Sequence, residues 1–175
     1  MRKTNLKGWT EEWAESYRKE EEVLHNIFTD DIISLFHIGS TSISAIGFAK
    51  PIIDMLMVVR DMERVDAYTE KLIALGYTAK GENGITGRRY FTKGAENRTH
   101  HLHIFQRGNE HIDIHLTFKA YLLQHPKDAR EYGEHKLQLA EQFPENHHQY
   151  QQAKQQYADE LVKKANEWAM YQRIL

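Results

Sequence analysis

HIGSTSISAIGFAKPIIDMLMVV, residues 37–59, is the stretch that decides the fold. Pro51 introduces Ile52-Ile53-Asp54-Met55-Leu56-Met57-Val58-Val59, which is apolar at odd and even positions alike. A strand with one wet face alternates, so this run belongs in the middle of a sheet, covered on both sides. Asp54 breaks the run. An ionised carboxylate inside an apolar strand is expensive unless it is paired or ligating, which makes Asp54 the leading functional candidate in the chain. Upstream, Ile32–Ile38 reads as a second strand that runs into Gly39-Ser40-Thr41-Ser42, a turn able to open a short helix. Glycine lets a phosphate approach the backbone closely. A serine hydroxyl and the amides of a following helix can hold phosphate oxygens. A carboxylate on the adjacent strand can hold a divalent cation that bridges them.

Working outward, Trp9, Trp13, Tyr17, Leu24 and Ile27 or Phe28 mark one helix face, broken only at Glu20. Met62–Leu75 reads as an amphipathic helix stopped by Gly76. Tyr77–Lys80, Arg88–Lys93 and His100–Gln106 read as strands, the first weakly. His111-Ile-Asp-Ile-His-Leu-Thr-Phe118 alternates strictly and also reads as a strand, with Asp113, His115 and Thr117 on its polar side. Beyond it the pattern is helical, with one helix ended by Pro144 and another running to Trp168. The pattern predicts a single α/β domain over 1–175, with a core at about 9–123 and C-terminal helices at about 126–173.

The bulk properties exclude several classes. With 41% hydrophobic and 27% charged residues, the chain has material for one ordinary core. The net charge of −2 provides no global field for nucleic acid or anionic membrane. No cysteine is present, so disulfides, thiolate metal sites and a cysteine nucleophile are ruled out. The opening MRKTNLKGWTEEW has no apolar signal region and no run is long enough to span a bilayer, so a cytoplasmic location is expected. Phosphate loops, dinucleotide fingerprints, helical zinc pairs and serine-hydrolase elbows are absent as motifs.

The block from His37 to Val59 resembles the most diagnostic segment of the GrpB family: His-Ile-Gly-Ser-Thr, a short loop, then Ala-Lys-Pro-Ile-Ile-Asp. Arg89-Tyr90-Phe91, His101-Leu102-His103-Ile104 and Phe118 through His125-Pro126 to Lys136 resemble further family segments in order, so the likeness spans about residues 9–170. It implies a nucleotidyltransferase-like fold, a mixed β-sheet flanked by helices with a helical C-terminal segment. That superfamily carries Gly-Ser, then an acid-x-acid pair on one strand, then a third acid on a later strand. Gly39 and Ser40 match the first element and Asp54 the first acid. Leu56 stands where the second acid is expected, and Asp113 is the candidate for the third.

The resemblance implies transfer of a nucleotidyl or other phosphate-linked group from a nucleoside triphosphate to a small acceptor, dependent on Mg²⁺ or Mn²⁺. Gly39, Ser40 and Thr41, with Lys50 and Arg89, are the expected phosphate ligands, and Asp54, Asp113 and His115 the expected catalytic groups. Asp54, Asp113, His101 and His103 are the candidate metal ligands. His101 and His103 share a strand face with Cα atoms ~7 Å apart, and imidazole prefers Zn²⁺ over Mg²⁺, so Zn²⁺ at the histidines is the alternative. Leu56 argues for a second reading, an inactive nucleotide- or metal-binding module acting in regulation or with a partner enzyme, because holding two ions ~4 Å apart takes several carboxylates.

Overall fold

The apolar run after Pro51 forms an interior strand, as its lack of alternation requires. The computed structural model describes residues 4–174. In chain order the elements are β1 (Lys7–Gly8), α1 (Glu12–Phe28), β2 (Ile32–Ile38), β3 (Phe48–Ala49), β4 (Ile53–Val59), α2 (Met62–Asp66), α3 (Thr69–Ala74), β5 (Tyr77–Ala79), β6 (Arg88–Lys93), β7 (His100–Gln106), α4 (Glu110–Gln124), α5 (Pro126–Gln142) and α6 (His147–Ile174). The class is mixed α/β, as expected, and the chain divides into two compact units that interleave in sequence.

One unit comprises residues 11–42 and 52–113 and holds a five-stranded sheet in the order β2-β4-β7-β6-β5. Only the β4–β7 pairing is parallel. Met55, Leu56, Met57 and Val59 of β4 and Leu102 and Ile104 of β7 are fully enclosed. Burying each such side chain contributes ~1.5–3 kcal/mol. Helix α1 covers the sheet face that carries His37, Met55 and Lys93: the Tyr17 ring stacks on His37 at 4.9 Å. Glu20, the residue that broke the apolar stripe, points into this interface. It accepts two bonds from Lys93 Nζ (2.8 and 2.9 Å) and one from the Tyr77 hydroxyl (2.7 Å). A buried carboxylate is tolerated when it is paired and hydrogen-bonded in this way.

Two expectations are corrected here. Residues 62–75 form two short helices rather than one, because the chain turns at Ala67–Tyr68. There Tyr68 packs on Phe28 (4.5 Å) and donates its hydroxyl to Asp31. Residues 111–118 are not a strand but the first half of α4. Asn109 starts that helix: its side chain accepts from the His111 amide (3.0 Å) and its carbonyl from the Ile112 amide (3.1 Å). Ile114, Phe118, Tyr121 and Leu122 also recur at helical spacing, and the burial of Tyr121 and Leu122 decides between the two periods.

The other unit comprises, of the described residues, 4–10, 43–51 and 114–174. It pairs β1 with β3 and packs α4, α5 and α6 around Ile43, Ile46, Tyr121, Leu122, Ala129, Tyr132, Leu161 and Ala165. Gly133 of α5 lies so close to the turn at Ser44–Ile46 that a β-carbon there would stand 1.7 Å from the Ile46 carbonyl. Among the described residues no helix is long and apolar enough to cross a membrane.

Candidate functional site

The turn after β2 meets the one carboxylate of β4. Ile38 pairs with Asp54 across the antiparallel β2–β4 ladder, so the next residue, Gly39, arrives beside the Asp54 side chain. Gly39 has φ +71°, and a β-carbon there would stand 2.7 Å from Asp54 Oδ2. Both the backbone conformation and the space therefore demand glycine. Residues Ser40–Ser42 form a single 3-10 turn, closed by the Ser42 amide (3.1 Å) and hydroxyl (2.7 Å) on the Gly39 carbonyl. Thr41 is buried, with its hydroxyl 2.9 Å from His37 Nε2 and 3.3 Å from the Ile52 carbonyl.

Parallel pairing places Asp54 opposite His101 and Leu56 opposite His103. On the neighbouring strand, Tyr90 pairs with His103 and Arg88 with Phe105. The result is a polar row on one sheet face. Asp54 Oδ1 lies 3.0 Å from His101 Nδ1 and 3.6 Å from His103 Nε2. Burial pushes the Asp54 carboxyl up, but hydrogen bonding and charge from His101 and then His103 more than offset it and hold it well below the usual carboxylate range. An ionised carboxylate can only accept, so Nδ1 of His101 carries the proton. Arg88 Nη1 lies 3.3 Å from His103 Nδ1, which must accept, leaving the proton of His103 on Nε2, toward Asp54.

Arg88 is itself enclosed, donating from Nε to the Glu82 carbonyl (3.1 Å) and from Nη2 to the Asn83 carbonyl (2.8 Å), with its guanidinium 4.6 Å from the Tyr90 ring centre. Burial pushes its pKa down. The Tyr90 ring packs on His103 (5.0 Å) and His101 (5.7 Å). His101 Nε2 is buried and makes no hydrogen bond among the described residues. Leaving a buried polar group unsatisfied costs ~1–3 kcal/mol, so this nitrogen is an unmet demand beside a paired carboxylate.

The family model described as GrpB protein matches residues 3–164. The chain belongs to the GrpB family. It is 32% identical to the glutamate-rich protein GrpB of Alkalihalophilus pseudofirmus over 158 residues, 87% of this chain and 90% of that one. It is 47% identical to the YqkA protein of Bacillus subtilis over 167 residues, 95% of this chain but only 48% of YqkA, so the chain spans about half the length of that relative. The crystal structure of the conserved protein GrpB from Enterococcus faecalis superimposes with a TM-score of 0.83 at 36% identity, covering 91% of this chain and 98% of that one.

Within this GrpB fold the expected site residues separate. Gly39, Ser40, Asp54, His101 and His103 converge in the sheet unit, joined by Tyr90 and Arg88. The role of Tyr90 was missed, although its i, i+2 spacing from Arg88 and Thr92 on a strand is the signal that sets it on the same face. Arg89 faces the other way and forms a two-point ion pair with Asp66 (2.8 and 3.2 Å). Lys50 belongs to the other unit, where Nζ lies 3.4 Å from His147 Nε2 and 5.3 Å from the Tyr150 ring centre. Asp113 is exposed on α4, and His115, half-buried two residues on, lies on a different side of that helix rather than sharing a strand face with it.

These positions bear on the metal that the fold family implies. Leu56 is fully enclosed and apolar, Asp113 is not on a strand, and both ring nitrogens of His103 face hydrogen-bonding partners. Among the described residues no three His, Asp or Glu side chains are grouped to hold an ion. The donor set does not fit a two-ion centre.

Proposed function

We propose that this GrpB-family chain binds a nucleoside triphosphate, or a smaller phosphate ester, beside Gly39, Ser40 and Asp54 and transfers a phosphate-linked group to a small acceptor. The observation that carries this reading is the Gly39–Asp54 approach. A left-handed glycine packed against the Asp54 carboxylate brings the backbone that opens the Ser40 turn directly beside that side chain, and glycine is the residue that lets a phosphate come close to backbone. Asp54 alone would repel such a ligand. The Arg88 guanidinium in the same row offsets that charge, while His101 and His103 turn N–H groups toward the carboxylate.

A second reading, a module that binds without turnover, is favoured by the enclosed Leu56 at the second acid position. Thermal-shift and calorimetric titration with each nucleoside triphosphate, with and without Mg²⁺, Mn²⁺ or Zn²⁺, tests both. Stabilisation by nucleotide, followed by product formation with an acceptor that falls in Asp54→Asn, supports the transferase. Binding without product supports the module, and no response to any nucleotide removes both.

A further inference from the structure

We infer that His101 is the proton acceptor of this site, its Nε2 taking the proton of the attacking acceptor where the usual second carboxylate is missing. This deepens the transferase reading and rests on it. Three observations converge. Asp54 Oδ1 fixes the His101 proton on Nδ1 at 3.0 Å, so the lone pair is on Nε2. That Nε2 is buried and makes no hydrogen bond among the described residues. The position that carries the second acid in related folds is Leu56, directly opposite His103 and two residues along β4 from Asp54, so that strand offers no second carboxylate to take a proton.

His100 Nε2 and the Tyr150 hydroxyl are likewise buried with no hydrogen bond among the described residues, but no carboxylate is bonded to the other His100 nitrogen, which faces the Thr99 hydroxyl at 2.8 Å. His103 cannot take the role, because Arg88 faces its Nδ1 and Asp54 its Nε2. Among the described residues the charged and titratable groups around His101 include Asp54 from β4, His100 and His103 on its own strand and Tyr90 from β6, with Arg88 and Arg98 acting on Tyr90. A carboxylate bonded to one imidazole nitrogen orients the ring and stabilises the imidazolium that forms when the other nitrogen is protonated.

In the step, the acceptor hydroxyl oxygen forms a bond to the phosphorus next to the leaving group while the bond from that phosphorus to pyrophosphate breaks. The hydroxyl proton passes to His101 Nε2, and the resulting imidazolium faces Asp54. After pyrophosphate departs, the proton passes to solvent and the neutral ring is restored.

The test has two arms on the full chain. Long-range proton–nitrogen NMR of the ¹⁵N-labelled protein near neutral pH reads the His101 tautomer directly, without any variant. The expected result is a proton on Nδ1, mixed with the other tautomer in Asp54→Asn, and a proton on Nε2 overturns the inference. In the second arm, pyrophosphate release is followed from ATP, GTP, CTP and UTP with water, glycerol or ethanolamine as acceptor. His101→Gln is expected to lose about a hundredfold in turnover while nucleotide affinity is unchanged, with a smaller loss in His103→Gln. Nucleotide bound but turned over equally by His101→Gln, or not turned over by the native chain, overturns the base and leaves binding intact. No nucleotide binding at all overturns the transferase reading and the base together.

Discussion

Asp54 and His101 stand opposite one another on parallel neighbouring strands, with Oδ1 and Nδ1 3.0 Å apart. The pairing explains why a carboxylate interrupts the most apolar strand of the chain. It also makes stability depend on pH in a definite direction. The folded Asp54 carboxyl is held below its unfolded value, near 3.9 in an open chain, so its contribution is fully present above that value and is lost as pH falls toward the folded one. Urea unfolding of the native chain and Asp54→Asn should therefore show a stability gap that is constant at pH 6–7 and narrows as pH drops below about 4. A gap independent of pH would mean that the carboxylate is not ionised in the fold.

Gly39→Ala should destabilise by ~1–3 kcal/mol from its left-handed backbone alone, with a further loss because the new methyl meets Asp54 Oδ2. Calorimetric melting measures the total. Combining it with Asp54→Ala, which removes the obstructing oxygens, should recover part of the loss. Simple additivity of the two would separate the glycine from the carboxylate.

Glu20→Ala leaves the Lys93 ammonium and the Tyr77 hydroxyl without their partner in an interface that is almost closed to water. Losing one member of such a buried pair costs ~3–5 kcal/mol, somewhat less here because Lys93 keeps a partly exposed head. Glu20→Ala with Lys93→Met should cost less than Glu20→Ala alone, read by the midpoint of urea unfolding. Burial, and after it the Glu20 charge and hydrogen bond, pushes the Tyr77 phenol well above its ordinary range. Ultraviolet titration should therefore find it un-ionised until the protein unfolds in alkali.

Gly133→Ala tests the other unit independently. Its methyl would fall on the Ile46 carbonyl of a neighbouring turn rather than on a movable side chain. Overpacking of this kind costs ~1–3 kcal/mol or more, and a lower melting temperature with an unchanged Asp54–His101 NMR signature is expected.

Asp113→Asn should be silent. The residue is exposed on α4, and surface changes of this type stay within about ±0.5 kcal/mol. Nucleotide affinity equal to that of the native chain is the expected calorimetric result. A large loss would restore Asp113 to the place that strand alternation suggested for it.

Much of the sheet was legible because short runs with aliphatic, aromatic or β-branched residues end at glycine turns such as Gly39, Gly87, Gly94 and Gly108: Ile32–Ile38, Arg88–Lys93 and His100–Gln106 are strands over those residues. The stretch 111–118 was not, because strict alternation over eight residues satisfies the strand period while the same apolar residues, taken with Tyr121 and Leu122, satisfy the helical one. Only a longer window and the Asn109 cap separate the two. The single-helix reading of 62–75 failed for a related reason: Tyr68 fits a helical stripe yet is drawn out of it by Phe28 and Asp31.

By itself the sequence determined that the Ile52–Val59 run lies inside a sheet, that Gly39 ends one strand against it, and that Asp54 needs a partner, since local pattern and the cost of a lone buried charge are properties of the chain. Which partner was decided only in three dimensions. His101 is 47 residues away, and nothing in local spacing encodes the parallel register of β4 and β7 that sets it opposite Asp54. The same tertiary step gave Arg89 to Asp66, moved Asp113 onto a helix and left His101 Nε2 without a hydrogen bond among the described residues, because strand pairing and packing, rather than residue type, fix which polar groups meet.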